Sequence, residues 1–592
     1  MCRSCFNPLI LHRDFVAGNK DHVFGDSTFS PNQRNFIASS AATATVASTS
    51  DAHATPSAPE GADMIFKGGK IIPIPGATPV NSLAIAGGKV LALGAEADGL
   101  ITKNTQVIDL NGRVLLPGLI DPHHHTVISA LIYQLLTDVG YPKYPTRAKL
   151  LDGMRTVAAR TPAGQWLLYA NFDNILQGGD LSREELDSVS TSHPIFVWYI
   201  NAHDACVNSL ALKVAQIPED IGQLPGNGRF GRDDKGQLNG LIYEENALKK
   251  VLLPALPKIT PQLAGKALMD YFHTVAATGN THLHEPAMLS GEWIPPLAKL
   301  SNNLSCRVSA SMMIDAMKGI EPYRDLGLGA KAAQVPNSLF YLYGIKIVGD
   351  GSNQTRTGAQ TQPYLDTQNK GAPNFDAAQL KELVAQVKDM GMPILIHCNG
   401  DYTIDIALDA IEAAYGASTA AGINRIEHCT MVRPDQIQRM KKLNVEPSFT
   451  MNHVRFYGAA YRDQLFGPQR TSFMDPLGAC VSSDLNFTLH TDSPCTPPGP
   501  LPLISTAVTR RCEIDDSIIG KNLAVTLDRA LRAVTIDAAH QVGLGDQIGS
   551  LEKGKEADLT ILETDPYKVD PEKIAQIKVS ETWVAGNQKY SS

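Results

Sequence analysis

Cysteine is scarce: nine residues in 592, scattered from Cys2 to Cys512, so no disulfide framework holds this chain together. Cys2 and Cys5 form a C-x-x-C with His12 nearby, too few ligands to define a zinc site. Long apolar runs are also missing, and nothing reaches the roughly 18 consecutive apolar residues of a membrane-spanning helix. Charged residues are only 19% of the chain, with a net charge of −8 and no dense Lys/Arg stripe, which excludes nucleic acid as an expected partner. With 43% hydrophobic residues, the composition is that of an ordinary globular chain, neither fibrous nor disordered.

Residues 1–61 read as a leader: from Ser39 to Ser57 the chain is almost wholly Ala, Ser and Thr, which cannot build a core. Gln33-Arg34-Asn35-Phe36-Ile37, a small-residue stretch and Ala52-His53-Ala54 resemble a degenerate twin-arginine export signal, with Gln33 in place of the first arginine. Read as a signal, it puts the protein in the periplasm or outside the cell. Read as a disordered tail, it leaves the protein in the cytoplasm.

From Ala62 the pattern turns to short β-like runs broken by glycines, and a similar texture returns from Ala557 to Val584. Residues 62–116 and 548–592 are therefore expected to form one small β-sandwich from both chain ends. Between them, apolar strands alternate with helical patterns, the signature of a parallel sheet. Eight candidate strands end near His125, Glu285, Ile314, Gly349, Cys398, Cys429, Thr450 and Asp492, giving an α/β fold with a (β/α)8 barrel over 117–547. Residues 126–270 far exceed an ordinary crossover and are expected to be an insertion after the first strand that caps the C-terminal mouth of the barrel.

The first strand runs into Pro122-His123-His124-His125, and strand alternation puts His123 and His125 on one face. His397 ends the run Pro393 to Ile396, His428 ends Asn424 to Glu427, and Asp492 closes Phe487 to Thr491. Imidazole or carboxylate at the ends of four separate strands is what a mononuclear or binuclear metal site needs. Zinc suits such donors, and manganese or cobalt would fit them too. Lys346 lies inside Tyr343-Gly344-Ile345-Lys346-Ile347-Val348, where a free ammonium is costly. It either snorkels out, pairs with an acid, or reacts with CO2 to give a carbamate that bridges two metals.

These stretches closely resemble the amidohydrolase superfamily, in its YtcJ-like branch (amidohydrolase family 3). The resemblance runs from about residue 62 to 590 and includes Pro117 to His125, Gly344 to Ser352, His397 to Asp401, Arg425 to Cys429, Thr491 to Pro494 and Gly549 to Leu559. His203 to Leu212, within the insertion, also fits. It implies a (β/α)8 TIM barrel in which His123, His125 and Asp492 hold one divalent ion, His397 and His428 hold a second, and carboxylated Lys346 bridges them. It implies hydrolysis of an amide-type C–N bond in a small molecule: an N-acyl or N-formyl amine, or a cyclic amide. Asp492 is the implied proton shuttle. His453 would polarise the carbonyl or meet the leaving group. His203, Glu244, Trp198 and Glu285 are expected to contact substrate, and Asp121, Asp401 and Glu427 to orient the imidazoles. Deamination and a non-catalytic binding role are the alternatives. The presence of Lys346 argues against the first and the complete ligand set against the second. A homodimer is the expectation from the general frequency of two-fold assemblies.

Overall fold

The computed structural model describes residues 61–201, 204–224, 228–288, 294–314 and 339–592. Eight strands form one parallel sheet in sequential order: β1 (Leu119–Asp121), β2 (Asn280–Met288), β3 (Arg307–Met313), β4 (Phe340–Val348), β5 (Ile394–Cys398), β6 (Asn424–His428), β7 (Val445–Phe449) and β8 (Thr488–Leu489). Among the described side chains, every residue of these strands is buried, as expected for strands covered on both faces. The Asp492 amide donates to the His123 carbonyl at 3.1 Å and the Thr491 amide to Asp121 Oδ1 at 3.3 Å, drawing the two ends of the sheet together. The result is a nearly closed TIM barrel.

Strands from both chain ends pair in a second sheet of eight. Its order runs from Asn587–Ser591 through Val579–Val584, Leu559–Leu562 and Val114–Pro117 to Met64–Ile71, Val80–Ala86 and Lys89–Leu93, with Gln106–Asp109 beside Met64–Ile71. The Phe66 and Trp583 rings meet edge to face at 5.2 Å, although their strands are three places apart in the sheet. Neighbouring strands lie about 4.8 Å apart, so a flat sheet would hold these rings roughly 14 Å from each other. The sheet therefore curls round a core of its own.

This sheet is tied to the barrel by Arg307 of β3. Its Nε and Nη2 donate to the two oxygens of Asp558 at 2.7 and 3.0 Å, and Nη2 also reaches Glu556 at 3.0 Å. Truncating one partner of a buried pair leaves the other charge uncompensated. Asp558→Ala is therefore expected to destabilise the fold by about 3 kcal/mol, read from the denaturant midpoint at unchanged slope. A loss under about 1 kcal/mol would show that Glu556 alone suffices.

A third sheet belongs to the insertion, with the order Arg229–Arg232, Leu238–Tyr243, Asp204–Val207, Ile195–Tyr199, Leu167–Phe172, Thr137–Asp138. All five residues of Ile195–Tyr199 are buried, each contributing about 1.5–3 kcal/mol relative to exposure. Helix Thr126–Leu135 leaves β1 and packs against helix Pro261–Ala276, which leads into β2; the Tyr133 and Tyr271 rings stack at 5.5 Å between them. Among the described residues no helix is long and apolar enough to cross a membrane. The leader up to residue 60, and His203, lie outside the described residues.

Candidate active site

Strand pairing stops at Asp121, so His123 and His125 stand in the turn after β1 rather than on the strand itself. They converge nonetheless: His123 Nε2 lies 3.3 Å and His125 Nε2 3.1 Å from the same oxygen, Asp492 Oδ1. Asp492 follows β8 and has left-handed backbone (φ 57°), as do His428 (φ 70°) and Cys429 (φ 51°) at the end of β6. Such conformations are uncommon outside glycine and persist where surrounding structure fixes them, which is frequent at functional sites. The His397 and His428 rings are 4.4 Å apart, and those of His123 and His428 4.9 Å. His123, His125 and Asp492 form one cluster able to hold an ion; His123, His428 and His490 form another.

Each imidazole is steered by a partner on its other nitrogen. His123 Nδ1 is 2.5 Å from Glu427 Oε2, and Arg425 grips both oxygens of Glu427 at 2.8 and 3.0 Å. His125 Nδ1 faces Glu285 at 3.4 Å. His428 Nδ1 meets Thr450 Oγ1 at 2.9 Å, while its Nε2 is buried without a hydrogen-bond partner. His397 Nε2 is held by the Gly351 carbonyl at 3.2 Å, with Asp350 at 3.4 Å. Burial, and then Lys346 and neighbouring rings, keeps His123 well below the usual imidazole range; burial and then His397 does so for His428. Both are neutral at physiological pH, as metal-binding imidazoles must be.

Lys346 projects from β4 into this group at 2% exposure, and among the described residues its Nζ makes no hydrogen bond or ion pair. Burial pulls its pKa down to about 8, against the opposing pull of Glu427 and Asp492. His490 belongs to the second cluster, but Ser448 and Thr450 occupy its Nδ1 and Nε2, each at 2.7 Å, so it packs beneath the site.

A cavity of about 420 Å³ opens beside these groups. Barrel loops contribute Asn399, His428, Thr450, His453 and Asp492; the insertion contributes Asp173, Asp204, Arg229 and Glu244. The cavity thus lies between the barrel mouth and the insertion. His453 Nδ1 is 3.0 Å from Thr430 Oγ1, whose single proton goes to Asn399 Oδ1 at 3.1 Å. With its proton on Nδ1, the His453 ring would offer Nε2 as an acceptor towards the cavity, and burial lowers its pKa to about 3.

The model of the amidohydrolase family matches residues 106–590. The chain belongs to the amidohydrolase family. It is 26% identical over 522 residues to N-substituted formamide deformylase of Arthrobacter pascens, covering 86% of this chain and 95% of that protein. It is also 26% identical over 557 residues to protein LONG AFTER FAR-RED 3 of Arabidopsis thaliana, covering 90% and 93%. Among solved structures, an uncharacterized metal-dependent hydrolase from Pyrococcus horikoshii OT3 matches with a TM-score of 0.67 at 22% identity, over 86% of this chain and 99% of that one.

Within this amidohydrolase, the residues expected at the site separate. His123, His125, His428 and Asp492 gather closely, with His397 and Lys346 beside them. Glu244 lines the cavity, but Trp198 sits in the core at 6% exposure and is not among the lining residues. Glu285 is not among them either: its carboxylate accepts from Thr126 Oγ1 at 3.0 Å and the Val127 amide at 3.1 Å and faces His125. Asp401 is turned to Arg433 and the Thr361 amide, whereas Asp121 holds His124 at 2.9 Å. Sequence reasoning missed Asp350, which accepts the amides of Ala359, Asn399 and Gly400 and whose pKa burial raises to about 6. Its place in the turn just after β4 was the available signal.

Proposed function

We propose that this protein is a metal-dependent hydrolase of an amide-type C–N bond, acting on an N-acyl or N-formyl amine or a cyclic amide. The observation that carries this reading is the convergence of His123 and His125 on Asp492 Oδ1, beside a buried and partnerless His428 Nε2. An orphaned imidazole nitrogen among neutral rings fits a metal donor. One divalent ion would take His123, His125 and Asp492, and a second His397 and His428. Lys346, carboxylated by CO2 with loss of a proton from Nζ, would supply the anionic bridge. Zinc suits these donors best, with manganese or cobalt as substitutes.

Divalent ions bound there would activate a water at neutral pH and polarise the scissile carbonyl. The Asp492 carboxylate, fixed between two imidazoles, receives the proton of the attacking water and returns it to the departing amine. His453 Nε2 accepts from the substrate N–H and so orients the leaving group. Glu427 and Glu285 hold the rings of His123 and His125, and the insertion limits the entry of bulk water.

Protein purified without chelator is expected to contain about two transition-metal ions per chain. Chelation should remove activity on simple N-acyl amines, and added zinc should restore it. Full activity without bound metal would overturn the reading. Release of ammonia instead of an amine and a carboxylate would replace it with deamination.

A further inference from the structure

Asp173 comes from the insertion, yet it lines the same cavity as Asp492 and His428. It is 2% exposed. Its Oδ1 accepts the amides of Ile175 and Leu176 at 2.9 and 3.0 Å, and its Oδ2 accepts the hydroxyl of Tyr457, from the segment after β7. All three donors are neutral. Among the described residues no cation lies within ion-pair distance of Asp173. Burial pushes its pKa up from the ordinary carboxylate value, and the three hydrogen bonds oppose that rise. The Cys495 thiol is pushed up by burial first and then by Asp492 and Asp173, so both carboxylates lie within electrostatic reach of one side chain.

The rest of the lining points the same way. Among the described residues, most of the lining side chains carry oxygen or nitrogen, and the insertion contributes the carboxylates of Asp204 and Glu244 and the guanidinium of Arg229. That guanidinium lies 4.1 Å above the Tyr243 ring. A buried carboxylate with only neutral donors gains most from a ligand that brings a positive charge.

We infer that the substrate is a polar N-acyl compound bearing a cationic group, and that Asp173 is the residue that selects it by pairing with that cation. The inference rests on the amide-hydrolase reading above. The bond broken is the acyl C–N bond; water supplies the oxygen of the carboxylate, and the products are a carboxylate and an amine that keeps the second, protonated nitrogen.

The test uses the metal-loaded full chain and three matched probe series: mono-N-acyl diaminoalkanes, N-acyl alkylamines of equal length, and N-acyl ω-amino carboxylates. The expected order of kcat/KM is cationic, then neutral, then anionic, with at least about tenfold between the first two. That ratio should collapse towards one in Asp173→Asn. It should survive in Tyr457→Phe, which removes the tie between insertion and barrel but keeps the charge, so a merely structural role for Asp173 would affect both variants alike. Equal rates on cationic and neutral probes, a preference for the anionic series, or an unchanged ratio in Asp173→Asn would overturn the inference. Calorimetric titration of the same probes separates the two readings. Cation-selective binding without turnover sinks amide hydrolysis and keeps charge selection. Turnover without charge preference does the reverse, and neither binding nor turnover sinks both.

Discussion

Asp492→Asn is expected to lower kcat by about 10²–10⁴-fold, the range that a positioned general acid–base contributes, with further loss where metal affinity falls. The substitution changes little else. Asparagine has the shape of aspartate and tolerates left-handed backbone, so the φ of 57° at this position is kept. The main-chain bonds from the Asp492 amide to His123 and from the Cys495 amide to the Asp492 carbonyl do not involve the side chain. What changes is the group 3.1 and 3.3 Å from the two imidazoles. A carboxamide can neither take the proton of an attacking water nor return it to an amine, and it carries no negative charge for an ion. Measuring metal content beside kcat separates the two losses. A variant with its full complement of metal and more than about a tenth of the wild-type rate would show that Asp492 is not the shuttle.

The barrel was legible because parallel strands buried on both faces leave continuous apolar runs, and all eight were found in order. Their ends were less so. β1 stops four residues before His125 and β8 three before Asp492, because the turns that carry these side chains abandon strand pairing and bring them inward. The histidines and Asp492 stand where apolar runs end, and Glu427 adjoins one of them, so all were legible as candidates. Which ring each group meets was not, because spacing along the chain is arbitrary: Glu427 meets His123, not its neighbour His428, across 304 residues. Glu285 illustrates the difficulty. A carboxylate at a strand end looks like a substrate contact, but here helix Thr126–Leu135 begins beside it and takes it as an acceptor. Trp198 sits in an apolar run that could line a pocket, but its strand is central in the sheet of the insertion and the indole is buried in the core.

Lys346→Ala is expected to lose metal and activity together, with kcat down by at least about a hundredfold. The lysine stands on β4 at 2% exposure, and no acid pairs with its Nζ at ion-pair distance among the described residues. A plain ammonium there would face two dications, and like charges a few ångströms apart in a poorly solvated interior repel strongly. In the proposed binuclear site a carbamate would reverse the sign and offer two oxygens as the bridge. Deleting the side chain would then remove that anion and leave a gap close to the size of a short carboxylate. Acetate or propionate at high concentration, added with metal, should therefore restore part of the activity to Lys346→Ala, whereas chloride at equal ionic strength should not. Wild-type apoprotein reconstituted in CO2-free buffer should activate slowly, and bicarbonate should speed it. Should the activated enzyme hold one ion per chain and an unmodified lysine by mass spectrometry and in a well-resolved map, the bridge is wrong. The hydrolase would then be mononuclear, with His123, His125 and Asp492 as its centre.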